Sequence, residues 1–348
     1  MAILTEMGSW SASTRHRAEL HVPGLRRHFS TVDLLTADDA VPRAPGRRGQ
    51  IRFFATHSAR YLRRAAELHA ALPRYDSLLV QRGLYALGPG VIARPVERFP
   101  GRVVFDLDDA VFELRPPLDR KGPAARWVWG PQQSLRMLRR ADAIVVSTPV
   151  LAEMLPPGVV EPVVLPTIPD TTAYPLVRHG PAQPLAVGWA GTVGGLAYLD
   201  PLSGVFARLR SEGVAELRVV SARPWDGPAR FTRWRPELAT AVFAEFAVGI
   251  MPLADTPYAR AKAGFKLLEY MAAGLPVVAS PVGLNAELVK RSGAGFLADG
   301  PEEWEAALRE LAASVELRRE LGARGRSFVE RYADIDGQAD TLAALLRG

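Results

Sequence analysis

The chain has 348 residues, 43 Lys and Arg against 37 Asp and Glu for a formal net charge of +6, and no cysteine. At about 150 residues per domain this length suits two domains with ample cores, and the lack of cysteine excludes disulfides and thiolate metal sites. No apolar run approaches the roughly twenty residues that span a bilayer, and no leader segment precedes the first strand, so a soluble, cytoplasmic protein is expected.

In the first half, strands are predicted near Ile3, Thr31, Leu78, Val103 and Ile144, with helices near Leu20, Leu62, Leu135 and Leu151. The strand-like Ala2 to Met7 leads into Ala12-Ser-Thr-Arg-His-Arg17, which reads as a helix start capped by Ser11 or Ser13. Arg15 and Arg17 then lie at the carboxyl end of the first strand, the ligand edge of an open α/β sheet. Being two apart, they cannot both point into one crevice. Arg102 to Ala110 reads as a buried strand that delivers Asp106, Asp108 and Asp109 at its carboxyl end. Such a cluster suits a divalent metal, ligand hydroxyls held by Asp108 or Asp109, or loop capping by Asp109. Beyond Leu165 the periodicity is broken by Pro166, Pro169, Pro175, Pro181 and Pro184, the stiff connection expected of a linker.

In the second half, strands are predicted near Val187, Leu217, Val248, Val277 and Phe296, and helices near Phe206, Ala241, Leu268, Leu288, Ala307 and Arg319. Alternation through both halves describes two doubly wound α/β domains. The strand Leu185 to Gly191 opens into Gly191-Thr-Val-Gly-Gly195, a turn able to hold a diphosphate on backbone amides. It has neither the Walker lysine nor the dinucleotide spacing, so a P-loop and a nicotinamide fold are not indicated. In Pro252 to Arg260, Asp255 and Arg260 either hold ligand hydroxyls or form a turn with Pro257. Arg223, after the strand Leu217 to Ala222, faces a nucleotide base or pairs on the surface.

Only four of the 43 basic residues are lysine, yet Lys262 and Lys266 stand four apart in Ala261-Lys-Ala-Gly-Phe-Lys-Leu-Leu-Glu-Tyr-Met-Ala-Ala-Gly274. Lysine is a compact point charge where arginine is a planar fork, which suits a cation packed against phosphate oxygens. Gly264 marks a helix start, and Gly274 with Pro276 marks its stop. The spacing puts Lys262, Lys266 and Glu269 on one side near the positive end of the helix. The plainer alternative is a solvated face with a Lys266–Glu269 ion pair.

Gly264 to Gly283, Gly-Phe-Lys-Leu-Leu-Glu-Tyr-Met-Ala-Ala-Gly-Leu-Pro-Val-Val-Ala-Ser-Pro-Val-Gly, resembles the donor-site signature of family-four glycosyltransferases of the GT-B fold. That signature has two glutamates separated by seven residues, the second binding a ribose; Glu269 matches the second, while the first falls on Ala261. A subgroup with lysine at both positions is more similar still, and its Ala-Ser-Ser-Arg-x-Arg element resembles Ala12 to Arg17. Pro166 to Asp170 resembles the Pro-Asn-x-x-Asp crossing of related transferases. The Asp106 cluster is similar to the Asp-x-Asp manganese site of the other glycosyltransferase fold and to the start of aspartate-nucleophile phosphatases, neither of which accounts for Gly264 to Gly283.

The resemblance implies two Rossmann-like domains facing each other across a cleft: an acceptor-side domain at 1–166, a linker at 167–184, a nucleotide-sugar domain at 185–326, and a final helix at 327–348 that packs back on the first domain. It implies a retaining glycosyltransferase that takes a nucleoside diphosphate sugar as co-substrate, with no cofactor and no metal. Lys262, Lys266 and Glu269 are the expected catalytic group. Gly191, Thr192, Gly194, Gly264, Phe265, Asp255, Arg260, Arg15, Asp108 and Asp109 are the expected substrate contacts. Retention needs no acid and base pair like that of a hydrolase, so no general base is nominated. His16, His21, His28, His57, His69 and His179 lie outside the signature and are read as structural. A GT-B-type sugar-nucleotide epimerase and a non-catalytic nucleotide-sugar-binding protein remain alternatives.

The acceptor expected is a small molecule, a glycan or a lipid-linked species. Up to Asp170 there are 23 basic and 17 acidic residues, and beyond it 20 of each. Arg26, Arg27, Arg43, Arg47, Arg48, Arg60, Arg63 and Arg64 supply much of the excess, a field suited to the edge of an anionic membrane or a phosphate-bearing lipid. An arginine-rich composition explains it equally. No nucleic-acid module or basic stripe interleaved with aromatics accompanies the charge, so nucleic acid is not an expected partner.

Overall fold

Each half of the chain builds a six-stranded sheet in which every pairing is parallel. The computed structural model describes residues 1–37, 46–85, 90–113, 131–181 and 183–348, with the side chains of 46–55 left aside. It divides into Met1–Thr167 with Ile335–Gly348, and Ile168–Asp334.

In the first unit, β1 (Ala2–Thr5), β2 (Asp33–Thr36), β3 (Ser77–Gln81), β4 (Arg102–Leu107), β5 (Ala143–Val146) and β6 (Pro162–Val164) lie in the order β2-β1-β3-β4-β5-β6. Parallel sheets are covered on both faces, so their inner strands read as unbroken apolar runs; β1, β3 and β5 are buried throughout. One face packs Leu4, Leu78, Val80 and Phe105 with Leu68 and Met137. The other packs Ile3, Leu79, Val104 and Val145 with Leu342 and Leu346, supplied by the helix Ile335–Arg347. Strand order reverses between β1 and β3, which makes their carboxyl ends the ligand crevice of such a sheet.

The second unit repeats the scheme with β7 (Leu185–Ala190), β8 (Ala215–Ser221), β9 (Ala229–Arg233), β10 (Val248–Met251), β11 (Val277–Ala279) and β12 (Gly295–Leu297), ordered β12-β11-β10-β7-β8-β9. Its switch point falls between β7 and β10. The helix Phe265–Ala272 presses on the sheet at Gly249, where an added Cβ would stand 2.2 Å from the Tyr270 ring. Glycine is required there by that close approach.

Departures from the predicted elements have local causes. The edge strands β6 and β9 were not predicted: Ala229–Arg233 is mostly polar and largely exposed, and Pro162–Val164 is only three residues long beside the proline-rich linker. The helix expected near Leu20 is three short pieces, Ala12–Arg17, a 3-10 turn at Glu19–His21, and Val22–Leu25 with Pro23 in its first turn. The helix expected near Ala241 is a 3-10 segment, Ala241–Glu245. Residues 327–332 continue the helix Val315–Tyr332, and the break before the last helix falls at Ala333 and Asp334 rather than at 327. Arg43 lies outside the described residues, as do the side chains of Arg47 and Arg48.

Arg17 ties the first helix to the sheet. Its guanidinium, 3% exposed, grips Asp106 bidentately, with Nε donating to Oδ2 at 3.0 Å. Removing one partner of a buried pair strands the other charge, which costs about 3–5 kcal/mol. Asp106→Asn is therefore expected to lose roughly that much stability in urea titrations, and the double change Arg17→Met with Asp106→Leu to recover most of it.

Candidate functional site

In the second unit the chain leaves β7 at Ala190 and turns at once. Gly191 N–H donates to Val220 O at 3.0 Å, and Thr192 N-caps a 3-10 helix, Val193–Leu202. The Lys266 ammonium lies against this turn. It stands 4.4 Å from the centroid of the Trp189 ring, and a Cβ on Gly191 would come within 2.4 Å of Lys266 Nζ. The indole fills the space beneath, so that a Cβ on Gly195 would meet it at 3.0 Å. The glycines of Gly191-Thr-Val-Gly-Gly195 thus leave room for one ring and one cation. Gly194 has no neighbour within 4 Å of an added Cβ and faces open space.

The helix Phe265–Ala272 carries both Lys266 and Glu269, three apart and hence on one face. Lys262 is not on it, contrary to the spacing argument. Thr256 caps a separate helical turn, Pro257–Arg260, and Gly264 then takes a left-handed conformation, φ 63°, which interrupts the helix and N-caps the next one. Lys262 sits between them with its ammonium 4.5 Å from the Tyr258 ring centroid, and its charge still reaches Lys266. Burial pulls the Lys266 ammonium down to about 8, repulsion from Lys262 adds to the fall, and Glu269 opposes it. Phe265 opens the helix, whose first turn presents amides and positive dipole. Glu269 Oε1 accepts a 3.0 Å hydrogen bond from the Tyr174 hydroxyl. Tyr270, next along, is buried on the other side and its hydroxyl accepts from Ala190 N–H at 3.2 Å, fastening the helix to the end of β7. Burial raises the Tyr270 phenol.

Asp255 and Arg260 hold each other through two hydrogen bonds of 2.6 and 2.7 Å on the exposed loop. Each stabilises the other's charged form, the carboxyl falling and the guanidinium rising.

In the first unit the carboxyl ends of β1, β3 and β4 bring together Glu6, Gln81, Arg82 and Asp108 with Ser13. Arg82 has a left-handed backbone, φ 65°, and lies 2.8 Å from Glu6, 3.4 Å from Asp108 and 3.7 Å from Asp109. Ser13 Oγ donates to Asp108 and receives a 2.7 Å bond from Gln81 Nε2. Ser13 is therefore spent on Asp108, and Ser11 holds the N-cap position with no side-chain cap bond. Burial pushes the Glu6 carboxyl up, Arg82 opposes, and Asp108 and Asp109 add to the rise. Asp109 also caps its own loop through Ala110 N–H at 3.0 Å. Arg15 donates at 3.0 Å to the carbonyls of Ser9 and Trp10.

Asp106 is engaged by Arg17, and among the described residues no three His, Cys, Asp or Glu side chains group closely. Several arginines of the expected basic field have partners of their own. Arg64 is buried and donates to Leu35 O at 2.6 Å, while Arg27 and Arg63 pair with Asp336 and Glu67. Among the described residues no helix is long and apolar enough to cross a membrane.

Sequence reasoning missed Glu6, Arg82, Trp189 and Tyr174. The first three stand at or beside the carboxyl ends of switch-point strands, a positional signal that strand prediction already contains. Tyr174 carried no local signal.

Comparison with known proteins bears on the fold and on one segment of the second unit. Residues 205–314 match the family described as glycosyl transferases group 1, a segment that includes Asp255, Lys262, Lys266 and Glu269. The chain is similar in structure to the sucrose-phosphate synthase of Thermosynechococcus elongatus, at 16% identity over 99% of this chain and 98% of that one, TM-score 0.66. It is similar to Anabaena Alr3699/HepE in complex with UDP-glucose, at 13% identity over 99% and 100%, TM-score 0.67. It is also similar to WaaG, a glycosyltransferase involved in lipopolysaccharide biosynthesis, at 13% identity over 100% of both, TM-score 0.59. No curated protein matches the chain in sequence. The fold is GT-B, two Rossmann-like α/β units. With the group 1 segment, it supports a GT-B glycosyltransferase.

A lysine depressed to about 8 gives this site a signature. Below that pH Lys266 is charged and attracts an anion; above it the proton leaves. Affinity for inorganic pyrophosphate measured by calorimetry is expected to hold near pH 7 and to weaken toward tenfold per unit above about pH 8 to 9. Lys266→Ala should bind weakly with no such inflection. In the apo protein the native state binds fewer protons than the unfolded chain between about pH 8 and 10.4, so this residue's contribution to stability rises with pH across that window.

Proposed function

We propose that the protein transfers a glycosyl group from a nucleoside diphosphate sugar to a hydroxyl acceptor with retention of configuration and without a metal, as the family-four resemblance implies. The observation that carries the reading is the Lys266 ammonium packed into the Gly191–Gly195 turn. Breaking the bond from the anomeric carbon to the diphosphate leaves the electron pair on the departing oxygen, so the terminal phosphate gains a second negative charge. Lys266, Lys262 and the first-turn amides of Phe265–Ala272 receive that charge from groups already in position, the kind of stabilisation that supplies most of the rate in such sites. Glu269 accepts the nucleoside's ribose hydroxyls. Gly191, Thr192, Gly194, Gly264 and Phe265 supply backbone to the diphosphate.

The HepE structures hold UDP-glucose and UDP, which supports a UDP sugar as donor here. Ala261, in place of the first motif glutamate, removes one carboxylate from the phosphate side. The two lysines then face less local negative charge, which favours a dianionic leaving group without a divalent cation. Asp255 and Arg260 hold donor-sugar hydroxyls when their mutual pair opens. In the first unit, Asp108, Asp109 and Arg15 take the acceptor, a small molecule, glycan or lipid-linked species, with the protein in the cytoplasm or at an anionic membrane edge.

Thermal unfolding with UDP, GDP and dTDP ranks the nucleotide, because a ligand bound only by the native state stabilises by mass action. UDP is expected to give the largest shift. In Lys266→Ala that shift should vanish and release of UDP from a UDP sugar should fall about a hundredfold or more. An unchanged shift together with unchanged release would overturn the phosphate role.

A further inference from the structure

We propose that Tyr174 is a positioning residue for Glu269, and that the pair makes the nucleoside site selective for ribose over 2′-deoxyribose. The inference rests on the reading of Glu269 as the ribose-binding carboxylate. A glutamate on the face of a helix has three rotatable bonds, and a carboxylate that must accept two hydroxyl hydrogens at once has to hold its plane. The Tyr174 hydroxyl donates to Glu269 Oε1 at 3.0 Å, which fixes one oxygen of the carboxylate.

Tyr174 can impose that orientation because it is itself immobile. It is 5% exposed, and its ring lies tilted 5.4 Å from Phe243, which meets Tyr270 in a T-shaped contact at 5.6 Å. The Tyr270 hydroxyl in turn accepts from Ala190 N–H, one residue before the Gly191 turn. One aromatic stack therefore sets both the Glu269 carboxylate and the start of the diphosphate turn. In a nucleoside diphosphate the ribose and the phosphates are a fixed number of bonds apart. Referencing their two protein partners to the same rigid rings keeps the partners at a constant spacing, which an unsupported glutamate would not.

The test compares UDP with 2′-deoxy-UDP, by calorimetry, in the wild type, Glu269→Ala, Tyr174→Phe and Phe243→Leu. Wild type is expected to favour UDP by about tenfold or more, the value of a hydrogen bond to a charged group. Glu269→Ala should lose that preference. Tyr174→Phe keeps the ring in its stack and should lose most of the preference for UDP while binding 2′-deoxy-UDP as before. Phe243→Leu, which loosens the rings that hold Tyr174 but keeps its hydroxyl, should lower the preference only in part, and an equal or larger loss than in Tyr174→Phe would count against the hydroxyl's role. If Glu269→Ala abolishes the preference and Tyr174→Phe keeps it, the positioning role falls and the ribose reading stands. If the wild type shows no preference, or Glu269→Ala retains it, both fall.

Discussion

An ammonium taken partly out of water must be received by something, and the second unit is arranged around that requirement at Lys266. The indole of Trp189 offers its negative face at 4.4 Å, and two glycines clear the space in which ring and cation meet. Burial and the neighbouring Lys262 leave the site short of negative charge. A deficit of this kind is relieved by an anion.

The two switch points answer the same problem in opposite ways. At β7 and β10 a cation is embedded among aromatic rings, poor in countercharge. At β1 and β3 the cation is Arg82, placed by a left-handed backbone that costs about 1 kcal/mol or more and surrounded by Glu6, Asp108 and Asp109. The first arrangement invites phosphate. The second sets its cation among three carboxylates and a hydroxyl, Ser13.

The inner strands of both sheets were legible because burial on two faces writes itself as a plain apolar run, as in Ala143–Val146. The edge strands β2 and β12 were also read, near Thr31 and Phe296, but Ala229–Arg233 was not, since its side chains are mostly polar and largely meet water. The segment around Lys266 was visible in its residue types, yet helical spacing placed Lys262 on the wrong element because the left-handed turn at Gly264 overrides periodicity. Pairings across the fold left no trace in spacing: Arg17 meets Asp106 89 residues away, and Tyr174 meets Glu269 at a separation of 95. Those contacts exist only once the sheets are assembled.

The helix Ile335–Arg347 belongs to the first unit, although the whole of Ile168–Asp334 separates it from the other residues there. Leu342 and Leu346 seal one face of that sheet against Ile3 and Leu79. During synthesis the amino-terminal sheet must therefore wait, with an apolar face uncovered, until translation has passed through the second unit. The unit made second is the one able to finish folding first.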